Sequence, residues 1–181
     1  VYRFLFMKMI KTVMAGAIAM SMVSFGAAAD AGQGVINFSG KVIDAPCSID
    51  ADSADQSIDF GQISKSVLAN GGISQQKPVT IKLVNCDTSA VGRTVKVSFS
   101  GMTVASQPGE LGTTDNTGTA VVMSAADGSM VTFDGSKGAV LALQEGNNTL
   151  QYSAWVKKAT NAMAVNEGEF TAVTNFALAY E

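Results

Sequence analysis

Apolar and polar residues alternate along this chain with the two-residue period of strands, not the 3.6-residue period of helices. The longest such stretch closes the sequence. From Glu169 to Glu181 the even positions Phe170, Ala172, Thr174, Phe176, Leu178 and Tyr180 fall on one face. A similar stretch lies near the front, where Ile36, Phe38, Gly40 and Val42 are separated by Asn37, Ser39 and Lys41. Short segments rich in Val, Ile, Thr or aromatics and bounded by Gly, Asn, Asp or Pro predict strands over residues 35–49, 57–60, 79–84, 94–100, 119–123, 130–133, 149–158 and 170–180. Turns are expected at Gln107-Pro108-Gly109, Thr114-Asp115-Asn116-Thr117-Gly118, Asp127-Gly128, Asp134-Gly135 and Gly146-Asn147-Asn148. Residues 63–69 read as one or two helical turns. Short, evenly spaced strands with turn punctuation predict an antiparallel β-sandwich. No repeat and no long linker divides it.

The final strand needs a neighbour, because an unpaired edge leaves its backbone groups and apolar face exposed. Either the segment around residues 35–42 folds back to supply one, or a different molecule does. Strand physics alone leaves both open.

The front of the chain reads as an address. Lys8 and Lys11 precede an apolar run of 13 residues from Val13 to Phe25, followed by Ala27-Ala28-Ala29. That is the plan of a secretory signal, too short to cross a hydrocarbon core of roughly 30 Å. Cleavage is expected after Ala29, with Ala31 second, and translation is expected to start at Met7 or Met9. The remaining 152 residues suit one domain. With Arg3, Lys8 and Lys11 removed, 9 basic residues face 15 acidic ones, a formal charge of −6. An acidic chain without a basic block argues against a nucleic-acid partner. In an exported domain Cys47 and Cys86 are expected to form a disulfide. Closing a loop of that length stabilises by roughly 4 kcal/mol.

Catalytic chemistry finds little support. The chain has no histidine, which excludes Ser-His and Cys-His nucleophilic catalysis. Asp50, Asp52, Asp55 and Asp59 lack the glycine and terminal glutamate of an EF-hand loop, and read as a solvated acidic loop. Asp and Glu are scattered throughout, so a glycosidase-type carboxylate pair stays open, but nothing in the sequence points to two of them converging. Lys157-Lys158 reads as a solvated strand edge that discourages unwanted pairing. Trp155 falls on the face opposite Tyr152, Ala154 and Val156, and is a candidate either for contact with another molecule or for packing under a loop. Two glycosylation sequons, at Asn37 and Asn147, carry little weight. No catalytic, metal or cofactor residue is expected, and no small-molecule substrate.

A combination of motifs resembles the major shaft pilins of the chaperone–usher family, closest to the P-pilus type. Gly32-Gln33-Gly34 precedes the alternating segment from Val35 to Val42, and Asp44-Ala45-Pro46-Cys47-Ser48-Ile49 follows it. Ser57-Ile58-Asp59-Phe60-Gly61-Gln62 and Leu83-Val84-Asn85-Cys86 come next. Tyr180 is penultimate, and Gly168 stands fourteenth counting back from Glu181. The resemblance implies an incomplete immunoglobulin-like sandwich lacking its last strand, with an N-terminal donor-strand extension. Residues 1–29 would be the signal, 30–44 the extension and 45–181 the pilin domain. Ile36, Phe38, Gly40 and Val42 would be the donor residues. Gly168, Phe170, Phe176, Leu178 and Tyr180 would form the acceptor groove that also binds a chaperone. The implied partners are neighbouring copies in a homopolymer, a periplasmic pilus chaperone and an outer-membrane usher. The implied route runs through the periplasm to a fimbrium on the cell surface. Two other readings stay open: a minor or adaptor pilin of the same system, and a self-complete secreted β-sandwich that acts as a binding module.

Overall fold

The structure is a computed structural model that describes residues 34–89 and 93–181. The expected signal, its cleavage site and the expected start residues lie outside the described residues. The chain divides into Val1–Lys41 and Val42–Glu181. Residues 34–41 carry no secondary structure, and Val35, Ile36 and Phe38 are exposed.

The second unit is β-rich. Its elements are β1 (Ser48–Ile49), α1 (Ala51–Ala54), α2 (Lys65–Ala69), β2 (Lys77–Cys86), β3 (Thr94–Gly101), β4 (Thr103–Val104) and β5 (Gln107–Gly112). They continue with β6 (Thr119–Ala125), β7 (Asp134–Ala142), β8 (Gly146–Lys158) and β9 (Thr174–Tyr180). Six strands form one sheet in the order β1-β2-β8-β6-β5-β4, and three form another in the order β7-β3-β9. Neighbouring strands in both sheets run antiparallel.

Alternation assigns the inner faces. Val95, Val97 and Phe99 of β3 are buried, as are Ile81 and Leu83 of β2 and Leu150, Tyr152, Ala154 and Val156 of β8. The Phe99 ring meets Tyr152 edge-on with centroids 5.1 Å apart, joining the two sheets across the core. Burial pushes the Tyr152 phenol up to about 12. The Cys47–Cys86 disulfide ties the chain just before β1 to the end of β2. Replacing both cysteines by serine should remove about 4 kcal/mol, since the bridge spans 39 residues of sequence. Urea unfolding of the subunit under oxidising conditions would show the loss as a lower midpoint. An unchanged midpoint would mean that the covalent tie adds nothing to the packed fold.

Several sequence expectations need correction. Of residues 35–49, only Ser48–Ile49 pairs into a ladder, and residues 57–60 pair with nothing described. Alternation marks which side chains share a face, but a strand also needs a partner edge. Residues 130–133 form a single bridge, Ser124 to Met130, on the return from the Asp127-Gly128 turn. Gln107-Pro108-Gly109 is not a turn but the start of β5. Pro108 lacks an N–H to donate, and the ladder to β6 begins only at Leu111. Gly146-Asn147-Asn148 opens β8, and Asp134-Gly135 opens β7. The expected acidic loop contains a helical turn, with the Asp50 side chain accepting from the Asp52 N–H at 3.2 Å. The turn expected at residues 114–118 forms, with Asp115, Asn116 and Gly118 at left-handed φ. Residues 63–69 contain α2.

Lys157-Lys158 is not a sheet edge. It ends β8, which lies between β2 and β6. The Lys157 ammonium donates to Glu110 Oε1 at 2.6 Å, and the Thr160 N–H donates to Glu110 Oε2 at 2.9 Å. Burial opposes ionisation of Glu110, but the donors from Lys157 and Thr160 outweigh it and hold the carboxyl below its ordinary value. Trp155 is half-buried on the face opposite Tyr152, Ala154 and Val156.

Candidate functional site: an open apolar groove

A complete sandwich buries its inner faces; this one leaves part of its core uncovered. Within Val42–Glu181 a cleft with a cavity volume of about 810 Å³ opens between the segment at residues 53–60 and the segment at residues 170–176. Its floor is the core itself, with Val79 and Ile81 from β2, Phe99 from β3, Met123 from β6 and Ala154 from β8. A second cavity of about 1030 Å³ continues past Ile63, Leu68 and Val165. The two share Ile58, Phe60, Phe170 and Thr171 and make one groove.

Each wall has a definable cause. On the first wall, the Gln56 amide donates to the carbonyls of Ser53 and Thr80, both at 3.0 Å, and the Lys82 N–H donates to Ser53 Oγ at 3.0 Å. These bonds hold the chain beside β2 where no ladder does. Asp59 Oδ1 then accepts the Gly61 N–H at 2.7 Å and turns the chain towards α2. On the second wall, the Asn166 N–H donates to the Thr117 carbonyl at 2.8 Å, and the Thr114 N–H donates to the Thr171 carbonyl at 2.9 Å. The 113–118 loop thereby carries residues 166–171. Gly118 permits this approach, because a Cβ there would sit on the carbonyl oxygen of Ala164.

Beyond that, β9 pairs with β3 from Val95↔Tyr180 to Gly101↔Thr174, and no described strand pairs with its other edge. The Lys96 ammonium donates to Glu181 Oε2 at 2.7 Å and anchors the far end. Phe176, Leu178 and Tyr180 pack against the core yet stay only half-buried, whereas their cross-strand partners Phe99, Val97 and Val95 are buried. Burial raises the Tyr180 phenol above its ordinary value. The half-burial along one face is what a missing neighbour produces.

The expected acceptor residues thus come together in large part. Phe170 and Phe176 line the first cavity and Gly168 lines the second, while Leu178 and Tyr180 continue the same face along β9. Among the expected donor residues, Ile36, Phe38 and Gly40 belong to the first unit, and Val42 at the start of the second is 99% exposed. The opposite wall was not expected as part of the site. Its signal was the alternation of Ile58 and Phe60, which resembles any other short strand until the lack of a ladder partner is known.

A free strand edge beside an exposed apolar floor can bind one thing well, an extended segment with alternating apolar residues. Main-chain hydrogen bonds would set its register, and alternate side chains would fill the floor. This fold and site define an immunoglobulin-like sandwich lacking one strand. Residues 36–181 match the profile of the family described as Fimbrial protein. The chain is 50% identical to the Pap fimbrial major pilin protein of Escherichia coli, covering 96% of this chain and 100% of the relative. The crystal structure of the P pilus rod subunit PapA superposes with a TM-score of 0.72 at 48% identity, covering 76% of this chain and 100% of that one. A subunit in the structure of a chaperone–usher pilus superposes with a TM-score of 0.78 at 49% identity, covering 83% and 97%. The chain belongs to the fimbrial protein family.

Proposed function

We propose that this chain is a structural subunit of an adhesive pilus shaft that polymerises by donor-strand exchange after folding on a periplasmic chaperone. The observation that carries this reading is the groove, whose floor is the hydrophobic core and whose edge strand β9 has one described partner. In the proposed assembly, the segment carrying Ile36, Phe38, Gly40 and Val42 from a second copy fills it. Phe38 and Val42 would each contribute about 1.5–3 kcal/mol on full burial. Each subunit receives one strand and gives one, a head-to-tail contact that does not close and so builds a filament. The chaperone occupies the groove before assembly, the outer-membrane usher passes subunits outward, and the product is a fimbrium on the cell surface. The work is binding and bearing load, with no reaction to catalyse.

The test is migration of the exported protein on a non-reducing gel, cold and after boiling in detergent. A ladder in the cold sample that collapses to one band on boiling is expected for non-covalent strand exchange. One monomer band in both lanes, from cells with the complete assembly machinery, would instead favour a self-complete sandwich.

Gly40 gives a sharper version. A Cβ at Gly40 would meet nothing within 4 Å in the free segment, so a side chain there is harmless to the subunit alone. Inside a groove, a glycine in a strand marks close backbone approach. Gly40→Asn should therefore leave the chaperone-bound subunit intact and stop polymerisation. Fimbriae of normal length from this variant, seen by negative-stain microscopy, would contradict the placement of Gly40 in the groove.

A further inference from the structure

The groove is apolar in its floor and acidic at one end of its rim. Around the second cavity stand Asp59, Glu167 and Glu169, all exposed, against a single cation, Lys65. Lys65 reaches from α2 to Glu167 on the other wall, with its ammonium 3.6 Å from Oε1. A lysine at the mouth of the groove is thus within reach of a carboxylate on the 166–171 wall. With three carboxylates and one ammonium, this end keeps a net negative charge after that pair has formed.

Over residues 34–44 the segment proposed to enter carries one cation, the ammonium of Lys41, and one anion, Asp44, two residues beyond Val42. If Phe38 and Val42 face the floor, period-two alternation turns Lys41 towards the rim. A strand added to the free edge of β9 in the antiparallel sense used throughout both sheets brings the Val42 end beside residues 166–171. The acidic end of the rim and the one cationic residue of the segment then coincide.

We infer that Lys41 of an incoming copy is recognised by Asp59, Glu167 and Glu169, and that this pairing speeds strand entry and selects this chain's own segment over an acidic or neutral one. The inference rests on the strand-exchange reading above and adds a residue-level determinant to it. Charges of this kind act mainly on encounter and on rejection of wrong partners, and much less on final affinity. They are screened beyond about 8 Å at physiological salt, so the effect belongs to association rates at low ionic strength.

The test uses the full-length subunit bound to its chaperone, challenged with a synthetic peptide of residues 34–44. At low salt, Lys41→Glu in the peptide should slow entry on the order of tenfold, and high salt should close the gap. Glu167→Lys with Glu169→Lys in the subunit should reverse the preference, so that the Lys41→Glu peptide enters faster. Equal low-salt rates for the two peptides, with a Phe38→Asp peptide still excluded, would overturn the charge inference and leave strand exchange standing. A wild-type peptide entering no faster than a scrambled one would overturn strand exchange, and the inference with it.

Discussion

Phe38→Asp is expected to yield cells without fimbriae while the subunit still folds and binds its chaperone. Phe38 is 91% exposed in the free segment, so its replacement removes no contact of the sandwich. In the proposed assembly the same change would forfeit the burial of an aromatic side chain and place a carboxylate against an apolar floor. The two costs together amount to about 5 kcal/mol, or roughly three to four orders of magnitude in strand affinity. Electron microscopy of surface fimbriae and the yield of chaperone–subunit complex measure the two halves independently. Normal fimbriae would show that Phe38 does not enter the groove. Loss of the complex would show that it belongs to the folded subunit.

Gly118→Ala should have the opposite profile, damaging the subunit itself. Gly118 has φ +69°, a conformation that costs an L-residue roughly 1–2 kcal/mol. The added methyl would also fall on the Ala164 carbonyl and come within 3.2 Å of Ala162 Cβ. Relieving that overlap separates the 113–118 loop from residues 159–166. It strains the bonds from the Asn166 N–H to the Thr117 carbonyl and from the Ala159 N–H to the Gly118 carbonyl. The expected loss is about 3–4 kcal/mol, read as a lower urea midpoint of the subunit. Gly128→Ala is the control. Gly128 has φ +83° but open space around a built Cβ, so only the backbone cost remains. Equal losses for the two variants would mean that the approach of Ala164 is unimportant. Because the same loop carries the 166–171 wall of the groove, Gly118→Ala should also reduce capture by the chaperone.

These two variants separate what was legible in the chain from what was not. The inner faces of β2, β3, β8 and β9 follow from alternation, since Val95, Val97 and Phe99, or Tyr152, Ala154 and Val156, can share a face in only one way, whereas β6 is buried on both faces from Thr119 to Met123. The pairing of Cys47 with Cys86 follows from there being two cysteines in an exported domain. That Phe170, Phe176, Leu178 and Tyr180 share one face was legible for the same reason as the strands, whereas their proposed role in accepting a strand came from the resemblance to pilins. Pro108 and Gly109 misled, because turn residues are read locally while their tolerance in β5 depends on where the ladder to β6 begins. Lys157 misled similarly. A lysine near a strand end reads as solvated until Glu110, 47 residues earlier, is found beside it. The wall at residues 57–60 was read as a strand, and its alternation is real, but it has no described ladder partner.

By itself, the sequence determined which residues share a face, which two cysteines bond, and that a chain without histidine has no Ser-His or Cys-His nucleophile. Those are properties of one segment or of composition, set by the two-residue geometry of an extended backbone. Only the tertiary structure decided which edges are paired, that the core lies open between residues 53–63 and 166–176, and that three carboxylates gather at one end of that opening. A ladder takes two edges and a groove takes two walls. The two walls lie more than a hundred residues apart and the β3–β9 ladder joins residues up to 85 apart, and over such separations local periodicity carries no information about distance.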